Sequence, residues 1–145
     1  MRYERTQHIA APPDVVWGVM TDIASWPSWT KSCSSAERLD SGPLRAASEA
    51  RLRLAGAPTT TWRVTSMDEG RSFVWESNAR GVRTVASHEV MPSAGGGTDV
   101  RLAVEYSGVM ATVFGWMLAR VSERNLAWEA EGLARESERR AGAGA

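Results

Sequence analysis

The sequence has a single cysteine, Cys33, among 145 residues. That excludes an internal disulfide and any cysteine-based metal cluster. Two histidines beside one cysteine are too few for a protein-held transition metal, so no metal and no cofactor is expected. Neither sign of charge is in excess: 17 Lys and Arg stand against 17 Asp and Glu. The charges are scattered rather than striped, without the basic footprint that nucleic acid or an anionic membrane requires. No apolar run approaches a membrane span, and the opening MRYERTQHIAAPPD lacks the apolar core of a signal peptide. A cytoplasmic protein without a nucleic-acid partner and without membrane insertion is the expectation. Catalytic signatures are missing as well: no G-x-S-x-G, H-E-x-x-H, C-x-x-C, G-x-G-x-x-G or phosphate loop occurs. The glycine-rich SAGGGTD sits between two strand patterns and reads as a hairpin turn.

What is present has clear periodicity. After a strand-like RYERTQHIA, the stretch APPDVVWGVMTDIA starts a helix. Pro13 suits its first turn, and Asp14 complements the positive end of the dipole. Val16, Val19, Met20 and Ile23 form one apolar stripe. Pro27 breaks the pattern, so SWPSW reads as a second, very short helix or turn. From about Cys33 to Ser107 the period is two. Val82, Thr84, Ala86, His88 and Val90 share one face, and Val100, Leu102, Val104 and Tyr106 share another. RLRL, TTTWRVTSM and RSFVWES add further strands, punctuated by DSGP, AGAP, MDEG and ARG turns. Residues 109 to about 140 lack proline and repeat at helical spacing through Met110, Phe114, Met117, Val121, Leu126 and Leu133. The pattern predicts one α+β domain over 1–140, with 141–145 a disordered tail: a curved antiparallel sheet covered by a long helix.

This order of elements, with Ile9, Ala11, Pro12, Val16, Trp17, Asp22, Trp26 and Trp29 in IAAPPDVVWGVMTDIASWPSW and Leu133 in EGLARESE, resembles the SRPBCC superfamily. More narrowly it resembles the polyketide cyclase/dehydrase and lipid-transport-like proteins of the START and birch-pollen-allergen type. The resemblance implies a helix-grip fold: about seven strands curved around the C-terminal helix, two short helices after the first strand, and a hydrophobic cavity between sheet and helix. Trp26 and Trp29 would plug the narrow end, as packing groups or as ligand contacts.

Alternation then nominates side chains. With Ile9 inward, Arg5, Gln7 and Tyr3 face inward too, either into a wet cavity or toward the sheet's open edge. His88 faces in, as a core histidine or as a group able to donate to a ligand carbonyl and move a proton. Trp62, Phe73, Trp75 and Tyr106 line the concave side. On the long helix Gly115, Ala119 and Ser122 make a strip of small residues, facing either the cavity or a subunit or solvent, flanked by Met110, Phe114, Met117 and Val121. Arg124, Asn125 and Trp128 are placed at the pocket mouth. The candidate ligand-binding set is therefore Trp62, Phe73, Trp75, His88, Tyr106, Met110, Phe114, Met117, Ala119 and Val121, with His88, Tyr106 and Arg5 as candidates for chemistry. The leading expectation is binding of a hydrophobic or aromatic, lipid- or polyketide-like small molecule. The alternatives are a cyclase, aromatase or dehydratase using pocket acid–base groups, and a regulatory or stress-related interaction module with a filled cavity. The oligomeric state is open.

Overall fold

The computed structural model describes residues 1–143. Its elements are β1 (Arg2–Ile9), α1 (Pro13–Thr21), a 3-10 turn (Ile23–Ser25), α2 (Trp26–Trp29), β2 (Cys33–Arg38), β3 (Glu49–Leu54), β4 (Thr60–Asp68), β5 (Ser72–Ala79), β6 (Val82–Pro92), β7 (Thr98–Ser107) and α3 (Gly115–Ala143). All seven strands form one antiparallel sheet in the order β1-β7-β6-β5-β4-β3-β2. Strands β2 to β7 are a meander, while β1 closes onto β7 with Arg2 opposite Glu105 and Ile9 opposite Thr98. The sheet curls around α3, giving the α+β helix grip that the sequence pattern and the resemblance imply.

Local chemistry explains the turns. Arg80 and Gly81 both have positive φ, 53° and 78°, between the paired Ala79 and Val82, as a two-residue hairpin of the primed type requires. Ser93 and Gly97 close the β6–β7 hairpin, with Ser93 N donating to Gly97 O at 3.1 Å. Pro13 opens α1, and Val16, Val19, Met20 and Ile23 are all buried as one stripe. Register shifts occur at Cys33/Ser35 and at Val64/Ser66. The second lets Trp62, Val64 and Met67 all turn inward although Met67 is out of step. Strands β1, β6 and β7 pair without a shift, so their faces follow simple alternation.

Helix α3 departs from the expected limits at both ends. The residues before Gly115 form successive turns, because Met110 N donates to Gly81 O at 3.1 Å and Ala111 N to Gly108 O at 3.2 Å. Those amides are engaged outside any helix. At the other end the helix runs through Ala143, into the tail expected to be disordered; residues 144 and 145 lie outside the described residues. The second half of α3 packs through Leu126, Ala130, Gly132, Leu133, Ala134 and Ser137, against β1, α1 and α2. The first half stands further from the sheet, and this leaves the cavity.

Beyond the core, Asp40 ties the β2–β3 loop. Its carboxylate accepts from Arg38 Nη2 at 3.1 Å, Ser48 Oγ at 3.0 Å and Glu49 N at 3.1 Å. The Arg38 guanidinium, with the two other donors, lowers its pKa from 3.8 to about 2. A carboxyl depressed in the folded state stabilises the fold above its unfolded pKa, and that stability is lost as pH falls through the folded value. Urea midpoints of the native chain should therefore drop between about pH 4 and pH 2. The drop should be shallower in Asp40→Asn; parallel pH profiles for the two proteins would show that the loop contributes nothing.

Candidate functional site

Between sheet and helix lies a cavity of about 380 Å³, within the range of small-molecule sites. The strands supply its floor by alternation: Trp62 from β4, Trp75 and Ser77 from β5, Thr84, Ala86 and His88 from β6, and Leu102, Val104 and Tyr106 from β7. The roof comes from one face of the helical segment, with Phe114, Met117, Leu118, Val121, Ser122, Asn125, Leu126 and Glu129. Trp26 and Ser32 close the inner end. Apolar groups dominate, so burial of a ligand's apolar surface is the main driving force such a wall offers.

The polar groups are few and concentrated. His88 is 3% exposed. Its ring stacks on Phe73 at 4.1 Å and 7°, with Trp26 at 5.9 Å and Trp75 at 5.8 Å. Three aromatic neighbours fix the ring plane. Nε2 lies 3.5 Å from Glu129 Oε1, while Nδ1 is buried without a hydrogen-bond partner. A carboxylate held this far from water needs a cationic or hydrogen-bonding partner, and His88 is the one facing it. Cys33 sits near the same carboxylate. Burial first, and the Glu129 charge second, push its thiol up to about 11, so Cys33 stays protonated and is a poor nucleophile.

Nearer the mouth, the Tyr106 hydroxyl and Ser122 Oγ share a hydrogen bond of 2.6 Å. Burial raises the pKa of Tyr106, so it remains a phenol able to donate. Asn125 Nδ2 donates to Ala55 O at 2.9 Å, which ties α3 to the β3–β4 turn. Trp26 Nε1 donates to Met20 O at 3.0 Å and Trp29 Nε1 to Ser25 Oγ at 3.2 Å, so the Trp26 indole is held by α1 and the Trp29 indole by the turn before α2. Trp26 reaches the cavity; Trp29, with its ring 5.8 Å from that of Trp26, packs behind it.

Of the residues nominated from sequence, Trp62, Trp75, His88, Tyr106, Phe114, Met117 and Val121 lie on this wall. Phe73, Met110 and Ala119 do not. Phe73 is fully buried between His88 and Trp17, whose ring is 6.2 Å away; it supports His88 rather than facing the space. Met110 packs on the tip of the β5–β6 hairpin, where a side-chain carbon on Gly81 would meet its Cγ at 2.6 Å. Ala119 falls on the helix face between the cavity residues and solvent. Of the small-residue strip only Ser122 faces the cavity, and Gly115 lies against Met1 instead. Arg5 also stays off the wall: its Nη2 is 3.6 Å from Glu131 Oε1, and Gln7 Nε2 donates to His8 O at 3.1 Å. Arg124 stacks over Trp128 at 4.8 Å outside the wall. Sequence reasoning passed over Glu129, though Ser122, Leu126 and Glu129 share a helix face. A carboxylate on that otherwise apolar face was the signal.

A family model described as "Polyketide cyclase / dehydrase and lipid transport" matches residues 1–138. A Streptomyces halstedii protein named "Putative polyketide cyclase" is 35% identical over 85 residues, covering 57% of this chain and 67% of that one. Among solved structures, the Zhui aromatase/cyclase from Streptomyces sp. R1128 superposes with a TM-score of 0.79 at 22% identity, over 97% of this chain and 94% of that one. A START superfamily protein from Mycobacterium smegmatis gives 0.78 at 15% identity, over 95% and 97%. At these identities the two superpositions establish the shared fold.

Proposed function

The chain belongs to the polyketide cyclase/dehydrase and lipid transport family, and from that premise we propose that its cavity takes up a hydrophobic or aromatic small molecule, lipid- or polyketide-like. The observation that carries this is the unfilled space of about 380 Å³ walled by Trp62, Trp75, Leu102, Val104 and Val121. A domain whose interior served only packing would fill that space, since protein interiors reach the density of organic crystals. A regulatory module with a filled core therefore has no support in this geometry. The proposal takes the setting to be cytoplasmic and needs no nucleic acid.

Ala86 offers the direct test. It lies on the cavity floor opposite Trp75 in the sheet, and a phenylalanine there would occupy space a ligand needs. Binding of anilinonaphthalene sulfonate, followed by fluorescence, should weaken roughly tenfold in Ala86→Phe, equivalent to about 1.4 kcal/mol of lost apolar burial of the probe. The unfolding midpoint should stay level or rise. Undiminished binding would place the probe elsewhere and remove the basis of the proposal.

One observation favours a second reading, in which the same cavity performs ring closure with loss of water. His88 and Glu129 form an acid–base pair on the wall, and Tyr106 supplies a phenolic donor. His88 takes a proton from a carbon flanked by carbonyls, and the carbanion attacks a second carbonyl to form a carbon–carbon bond. The proton returns to the new alkoxide, and hydroxide leaves with a further proton as water. A rate of ring closure that falls when His88 is replaced tests this reading.

A further inference from the structure

The segments around the cavity mouth carry little charge. Residues 55–59 between β3 and β4, residues 79–82 around the Arg80 turn, and residues 108–119 leading into α3 lie together there. Of these 21 residues only Arg80 is charged, against about five expected for a chain with 23% charged residues. Three large apolar side chains of this end project outward: Val109 is 85% exposed, Val113 61% and Trp116 69%. Single exposed apolar residues are ordinary, but a cluster of them marks a contact surface.

Cations border the patch. Arg80, Arg120 and Arg124 are exposed, and none is within ion-pair distance of a carboxylate among the described residues. Glu123 is the one acid in residues 108–124. Arg124 reaches the β3–β4 turn, its Nη2 lying 3.2 Å from where a side chain on Gly56 would begin. Charge is evenly scattered along the sequence, which hides this arrangement; the fold brings Arg80 to the same end as Arg120 and Arg124. A tryptophan and aliphatic side chains at a tip bordered by arginines are the composition of a segment that rests in the headgroup layer of a bilayer. A second copy of the chain would set these arginines against their own kind, whereas anionic lipid complements them. Among the described residues no helix is long and apolar enough to cross a membrane, so the contact is with the surface.

We propose that this end of the molecule docks on an anionic lipid bilayer, with Val109, Val113 and Trp116 in the interface and Arg80, Arg120 and Arg124 against the headgroups. This rests on the cavity-binding reading for its purpose: a docked mouth lets an apolar ligand pass between bilayer and cavity without crossing water. The docking itself is measured independently. The full chain is floated with vesicles of phosphatidylcholine alone and of phosphatidylcholine mixed equally with phosphatidylglycerol. It should float with the mixed vesicles, less in high salt and less with phosphatidylcholine alone. Val113→Ser with Trp116→Ser should cut partitioning by roughly tenfold or more, the effect of withdrawing two apolar side chains from the interface. Arg120→Gln with Arg124→Gln, neither of them on the cavity wall, should restrict it to low salt. Neither pair touches the cavity wall, so anilinonaphthalene sulfonate binding and the unfolding midpoint should stay at native values in both. Absence of flotation, flotation unchanged in the serine pair, or a solution dimer that Trp116→Ser dissociates would each overturn the docking. Loss of probe binding by the native chain would instead overturn the cavity reading and leave the flotation result standing.

Discussion

Gly132→Ala should destabilise the fold by about 3 kcal/mol, at the upper end of what overpacking costs, and lower the unfolding midpoint by roughly 6–12 °C for a chain of this size. The reason is the crossing of α3 over α2. A Cβ on Gly132 would collide with the Trp29 carbonyl oxygen and come within 3.1 Å of its carbon and 3.2 Å of the ring at Cε3. The obstacle is backbone, so no rotamer relieves it. Nor can the α2 segment withdraw easily, because Trp26 and Trp29 are both buried and the Trp26 indole N–H is bonded to the Met20 carbonyl of α1. Calorimetry of Gly132→Ala beside Gly18→Ala separates this steric effect from helix propensity. Gly18 is an exposed residue inside α1, and a side-chain carbon added there would meet nothing within 4 Å, so alanine at that position should stabilise by about 1 kcal/mol. Similar midpoints for the two variants would mean that the helices are not in close contact.

The second large effect concerns chemistry. If the cavity closes rings, His88→Gln should lower the rate with a poly-β-ketone substrate by roughly 10²- to 10⁴-fold, the usual contribution of a positioned acid–base group. Glu129→Gln keeps the shape and removes the charge facing Nε2 at 3.5 Å, so it should lose a large part of the same factor. The double variant should fall little further than His88→Gln alone, because residues that act as a unit are not additive. Affinity for the apolar probe should change only a few-fold in all three, since the aromatic and aliphatic walls are intact. Turnover at the native rate in His88→Gln would eliminate the acid–base role and leave binding as the function.

How much of this was legible before the structure depended on which physical effect decided each point. The inward faces of β1, β6 and β7 could be read from alternation because no bulge interrupts their pairing. His88 and Tyr106 accordingly lie where the pattern put them. Phe73 shares the face of Trp75, yet only the packing of Trp17 from α1 decides that it is covered. The apolar spacing of Met110, Val113, Phe114 and Met117 is helical, but hydrogen bonds to Gly81 and Gly108 determine that the helix waits until Gly115. Periodicity carries no information on such long-range competition for donors. Glu129 was missed because a glutamate on a helix is ordinarily solvated, and its burial depends on the neighbouring sheet.

The pairing of β1 with β7 has a consequence for how the molecule forms. Strands β2 to β7 can zip together one hairpin at a time through short turns, whereas β1 must find a partner a hundred residues along the chain, with Arg2 meeting Glu105. Closing that loop carries an entropy that local contacts do not repay, and contacts of this kind slow folding. Helix α3 packs on β1 and α1, so it gains its seat only when that late pairing is made. The cavity is thus the last feature to come into existence, and an apolar ligand bound there would slow unfolding while leaving the folding rate unchanged.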